Sequence, residues 1–384
     1  MRIIIGFISL FTIAGSTIGQ PLRDINYNYL YNPDETVAFQ LKAIRHTSDW
    51  EVQFNIPKKD TTDLLSTYLV EWSTRETLSD KESKPFFPAE IQGSAVKGSF
   101  RVPFTDRTVY LVAKVINKPM KRAWIFFQAL EPNHPVNASL ENRGHPVFRP
   151  FVNLSDSVVL HGLPEAVVSY YNDLFPAAQP PFSESLGKVS KGMKTDSTFT
   201  IHQGEVVRLS KKGLYLIQQD TNSASGIAVR AEDDYPKLAK IASLSPPLVY
   251  ITTAQEYSKL LQAKNDKKSF DRVILGITND RDRASRLMRN YFRRVELANY
   301  YFTSYKEGWK TDRGMIYIVF GLPDEVFKFN DREVWNYSLT KRNLSFTFVK
   351  SSSVFDPDNY VLLRDQKFQQ SWYETIDLWR GSRF

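Results

Sequence analysis

The sequence predicts a multidomain protein in which all-β, sandwich-like N-terminal and middle domains are followed by an α+β C-terminal domain. Three observations carry that expectation. The chain has 384 residues, more than one ordinary core accommodates. From Tyr27 to about Glu232 it runs in short β-branched and aromatic stretches broken by turn residues. After Tyr235 apolar residues recur at three- and four-residue steps, the period of a helix. Composition agrees with a folded chain: 42% apolar and 24% charged, with aromatics at 14%.

The start of the chain differs from the rest. Arg2 precedes an apolar run, Ile3 to Ile13, and a small, polar stretch follows, so residues 1–19 read as a secretory signal peptide cleaved after Gly19. The run is shorter than the ~18 to 20 apolar residues of a bilayer span, and no later stretch reaches that length. The mature chain is therefore expected to be soluble or peripheral, with no transmembrane segment. It has no cysteine, which excludes thiol catalysis, disulfides, cysteine-ligated metal and a lipidated N-terminal cysteine. The formal charge is +8, or +7 without Arg2. Export argues against nucleic acid as a partner, and an anionic headgroup or surface polysaccharide suits the charge better.

Residues 20–130 form the first expected domain. The runs "TVAFQLKAI", "WEVQFNI", "STYLVEW", "GSFRVPF", "TVYLVAKVI" and "RAWIFFQAL" alternate with period two and predict an antiparallel sandwich. Residues 131–146, "EPNHPVNASLENRGHP", carry three Pro and read as a linker. Residues 147–232 form a second β-rich domain, interrupted by a Pro-, Ser- and Lys-rich loop from Phe175 to Asp196. In residues 233–384, "PLVYITT" reads as a strand, "AQEYSKLLQA" as a helix and Asn279–Tyr305 as a long helix. On that long helix Leu287, Met288, Tyr291, Phe292, Val295, Ala298 and Phe302 share one face, and Arg286, Arg289 and Arg293 the opposite one. "GMIYIVF", "EVFKF", "EVWNYS" and "LSFTFV" follow as strands of an antiparallel meander, and Phe368–Trp379 as a closing helix.

The pentapeptide Gly308-Trp309-Lys310-Thr311-Asp312, continued by "RGMIYIVFGLPDEV" and "EVWNY" and preceded by "YFRRVELANYYF", resembles the GWxTD-domain proteins, a bacterial family seen largely in Bacteroidetes. The family has no assigned reaction, so the resemblance implies an architecture and an envelope location, the periplasm or surface of a Gram-negative cell, and no catalytic roles. The order "GLPDEV…EVWNYS…LSFTFV" is also similar to the small lipoprotein adaptor subunit of the outer-membrane barrel-assembly machinery. This chain departs from that pattern in lacking the lipidated cysteine and in reading "GMIYIVF" as strand where the adaptor has helix. The tripeptides beginning at Asp60, Asp156 and Asp196 resemble the O-glycosylation sequon of exported Bacteroidetes proteins.

Candidate binding residues are Trp309, Thr311, Asp312, Arg313, Asp324 and Trp335, all in or near the motif. A hydrolytic pair needs carboxylates ~5 to 10 Å apart. Asp312 and Asp324 flank a segment of ~26 Å as strand or ~12 Å as helix, so they stand at opposite ends. Asp312 and the Gly321–Asp324 turn are better suited to backbone capping, and Trp309 to plugging the sheet against the long helix. No catalytic residue, cofactor or metal is expected: nucleotide, zinc and serine-hydrolase fingerprints are missing, and the five His are scattered. The expected function is an exported, non-enzymatic scaffold or binding module that docks envelope or outer-membrane proteins through the GWxTD domain. The alternative is a carbohydrate-active enzyme or carbohydrate-binding protein, with surface polysaccharide as partner.

Overall fold

The computed structural model describes residues 19–57, 64–172, 175–184, 193–338 and 343–383. Residues 1–18 of the expected signal peptide, and the tripeptide at Asp60, lie outside that set. Among the described residues no helix is long and apolar enough to cross a membrane.

The first domain pairs two four-stranded sheets. One runs Gln40–Arg45, Asp49–Asn55, Lys97–Pro103, Gln92–Ser94; the other runs Lys84–Pro85, Tyr68–Arg75, Val109–Asn117, Arg122–Leu130. Their alternation is the cause of the layering, since every second side chain turns inward to a core of Trp50, Phe54, Trp72, Phe100, Trp124 and Phe126. All six expected strands are present.

The middle domain repeats the arrangement with a four-stranded sheet and a five-stranded one. It begins earlier than the sequence suggests. The Pro-rich stretch expected to be a linker contains the strand Ser139–Asn142, which pairs antiparallel with Ser157–His161. Val136, Ala138 and Leu140 do alternate with polar residues, and the last two are fully buried, but the run is short and three prolines around it mask the period. Asp156 and Asp196, from the other two sequon-like tripeptides, accept backbone N–H bonds from Asn153 and Asn172 and so serve local turns.

The C-terminal region is α+β. The meander Glu325–Lys328, Arg332–Tyr337, Leu344–Lys350, Tyr360–Leu362 is covered by the long helix Arg281–Phe302 and a shorter one, Asp312–Phe320. Two expectations are corrected. "PLVYITT" is a 3-10 turn, Pro246–Tyr250, started by its two prolines. "GMIYIVF" is helix, not strand. Thr311 caps it by accepting the Gly314 N–H, and Gly321 ends it with φ +92°. Gly314 to Val319 are all buried, so the helix is apolar all round and shows no amphipathic stripe; its β-branched run then mimics a strand.

An N-terminal strap joins first domain to last. Leu22 is fully buried against Leu78, Tyr110 and Val112 on the outer face of the first sandwich. The chain then lies along the edge strand Glu325–Lys328. Tyr27 N–H donates to Val326 O, and the Asn26 and Asn28 amides donate to Asp324 O. Tyr27 and Tyr31 end in the core of the C-terminal region. A sheet edge that would otherwise expose unpaired backbone groups is covered by the chain's own beginning.

Candidate functional site

The motif is built into the fold rather than displayed on it. A Cβ on Gly308 would stand 2.1 Å from Ala298 O, so the 3-10 turn Gly308–Lys310 lies against the long helix with no room for a side chain. Trp309 is 6% exposed; its backbone N–H donates to Asn299 Oδ1 and its carbonyl accepts from Tyr250 Oη. It therefore wedges the long helix against the Pro246–Tyr250 turn. Trp335, fully buried between Phe302 and Phe348, is the residue that plugs sheet against helix. Thr311 supplies the cap. Asp312 instead accepts the distant Leu362 N–H at 2.9 Å and pairs with Arg364 at 2.6 Å. Asp324, at the far end of the motif helix, accepts the Ser338 N–H and carries the strap on its carbonyl.

Two buried ionic groups tie the motif to other parts of the chain. Glu307 lies 2.9 Å from Lys310 and 3.7 Å from Arg230. Arg230 is itself paired with Glu232, on the last strand of the middle domain. Glu333, also fully buried, accepts hydrogen bonds from Tyr31 Oη at 2.7 Å and Trp335 Nε1 at 2.6 Å. Arg313 and Lys328 stand 3.6 and 3.8 Å from its other oxygen. Neither partner set can be read locally, although Glu333 betrays itself as an acid on the inward face of the alternating strand Arg332–Tyr337.

Of the six candidate residues, Arg313 lines a cleft between several parts of the chain. That cleft, about 550 Å³, lies where strap, first domain, linker and C-terminal region meet. Arg149 stacks over Tyr300 at 4.3 Å, Arg313 over Tyr360 at 4.4 Å, and Lys350 stands 3.6 Å from Glu131 and 3.4 Å from Asp358. Burial lowers the pKa of His134. The crowding around Asp358 acts to raise it, but its side chain is 65% exposed, and Lys350, His134, Lys328 and Arg313 outweigh that and hold the carboxyl below its usual range. The lining gathers tyrosine faces, tyrosine hydroxyls and cations, and each acid reaching it faces a cation. Among the described residues no group of three or more His, Asp or Glu could hold a metal ion.

Asp356, in the same loop as Asp358, is pushed up to about 7 by burial and by its acidic neighbour. Its folded pKa then lies above the unfolded value of 3.8, so the native state binds the proton more tightly. That stabilisation is complete below the unfolded pKa and is lost as pH rises through the folded one. Asp356→Asn is accordingly expected to match the wild type near pH ~3.5, to gain stability over it between about pH 4 and 7, and to hold the gain above. Thermal unfolding of the pair across pH reads this directly, and an advantage that does not grow with pH would refute it.

Comparison with protein-family models matches the GWxTD domain over residues 213–381. No curated protein matches the chain. The matched stretch opens with the two strands Gly213–Gln218 and Ile227–Glu232, the second of which carries Arg230 and Glu232, and closes at the end of the helix carrying Trp379. It therefore takes in the ionic partners of Glu307 as well as the motif, while Tyr31, which donates to Glu333, lies outside it: the chain is a GWxTD domain-containing protein.

Proposed function

We propose that this is an exported cell-envelope protein that acts as a non-enzymatic scaffold, docking other envelope proteins through its GWxTD domain. One observation carries the reading: the charged side chains of the motif are spent on internal partners, Asp312 on Arg364, Glu307 on Lys310 and Arg230, and Arg313 on Glu333. A motif used this way makes a rigid body, and a rigid body offers its outer faces. Those faces include the arginine side of the long helix, with Arg286 and Arg289 exposed, and Tyr373 and Leu378 on the closing helix. The resemblance of "GLPDEV…EVWNYS…LSFTFV" to the barrel-assembly adaptor supports docking by analogy.

Lys310 is buried, so a crosslinking probe belongs on those outer faces instead. Photo-crosslinking in living cells from Arg289 and from Tyr373 is expected to capture one dominant envelope protein. Adducts to glycan alone, or none above background, would overturn the docking role. A mature N-terminus at Gln20 in the envelope fraction, read by mass spectrometry, tests export. A second reading, carbohydrate binding, is favoured by the chemistry of a different cleft.

A further inference from the structure

The two sandwiches face each other across a cleft of about 1340 Å³ whose lining contrasts with the tyrosine-rich one. One wall comes from the sheet holding Asp49–Asn55 and Lys97–Pro103, the other from the sheet holding Ser139–Asn142 and Ser157–His161. Half of its lining residues, 16 of 32, end in a planar polar group: amide, carboxylate, guanidinium or imidazole. Such groups can accept from one hydroxyl and donate to the next, or meet two at once.

Unmet hydrogen bonding is concentrated here. Five of the ten buried polar side-chain atoms without a hydrogen-bond partner among the described residues belong to this lining: His46 Nε2, Gln53 Oε1, Asn142 Oδ1, Arg149 Nε and His161 Nε2. The two imidazoles have a carboxylate nearby, Glu51 at 3.4 Å and Glu141 at 3.3 Å, but Gln53, Asn142 and Arg149 have no such relief. Gln53 is 6% exposed and gives its N–H to Glu51 at 2.8 Å, leaving its carbonyl unmet. The unmet atoms are themselves covered by protein, and the exposed side chains of Gln92, Gln203 and Arg101 beside them are the groups a polar occupant meets first.

The charge of the walls narrows the chemistry. An anionic ligand would meet Glu51, Glu141 and Asp156, and a cationic one Lys97, Arg101, Arg143 and Arg149. A neutral molecule dense in hydroxyls meets neither penalty and can use both kinds of wall. Phe148 and Phe151 add apolar surface for the C–H faces of a ring. The volume exceeds the ~300 to 1,000 Å³ of ordinary small-molecule pockets, which favours a chain of several rings. We propose that the inter-sandwich cleft binds a neutral saccharide chain. The proposal is independent of the docking surfaces on the long and closing helices, and the two can fail separately.

The test is calorimetric titration of the full mature chain with hexamers of glucose and of N-acetylglucosamine, with a hexuronate oligomer as charged comparator. At least one neutral oligomer is expected to bind saturably. Ser99→Trp, which fills the cleft from a lining serine, is expected to weaken binding at least about tenfold with the thermal midpoint retained. Should that variant misfold, the double change Gln92→Ala and Gln203→Ala removes exposed amides from opposite walls and should weaken binding in the same direction. No binding of either neutral hexamer, binding of hexuronate alone, or binding untouched in the folded variants would overturn the proposal.

Discussion

Gly308→Ala is expected to unfold the GWxTD domain. The added Cβ would sit 2.1 Å from Ala298 O and 2.6 Å from Asn299 Cα, both backbone atoms of the long helix that cannot swing away. Gly314→Ala is as severe, with its Cβ 1.9 Å from Gly308 O. The motif thus packs backbone on backbone twice in seven residues: helix against turn at Gly308, turn against the next helix at Gly314. Relief requires moving the turn off the long helix, which breaks the Trp309–Asn299 hydrogen bond and opens the Glu307 ion group. The loss should exceed about 3 kcal/mol, the upper range for overpacking a core. Gly276 supplies the control. It is helical, and an added methyl there would meet nothing within 4 Å, so alanine should stabilise by up to ~1 kcal/mol. Urea unfolding followed by tryptophan fluorescence compares the three, and a Gly308→Ala protein within about 1 kcal/mol of wild type would refute the close-approach account.

This also explains what the sequence could and could not disclose. Most strands of both sandwiches are legible because one face is wet and the other dry, which writes period two into the chain, while Gly213–Gln218, buried at every position, shows only as a short apolar run. The long helix is legible for the same reason at period 3.6. The motif helix is not, because it is enclosed on every side and carries only an apolar run with Ile and Val in it. The motif itself is recognisable as a label, yet the roles of its residues rest on partners far along the chain: Arg364 for Asp312, 52 residues on, and Arg230 for Glu307. No local pattern encodes those pairings. The strap is the extreme case. "NYNYLYNP" falls at the start of the β-rich stretch with nothing local to set it apart, while its tyrosines enter a core some 300 residues away.

Glu333→Ala is expected to cost about 3 to 5 kcal/mol, because it strands the buried Tyr31 hydroxyl and Trp335 indole N–H and leaves Arg313 and Lys328 without their acid. Glu333→Gln keeps an acceptor for Tyr31 and Trp335 but not the charge, and should fall between. Tyr31→Phe removes a single hydrogen bond and should cost about 1 to 2 kcal/mol. The informative quantity is the coupling. If strap and sheet are joined through this bond, the Tyr31→Phe and Glu333→Ala losses should fail to add by about 1 kcal/mol or more; simple additivity would mean that the strap merely lies alongside. The bond closes a loop of 302 residues, so it forms late, after the sheet that carries Glu333. Tyr31→Phe should therefore speed unfolding and leave refolding nearly unchanged, with Trp335, bonded to the same carboxylate, as the reporter.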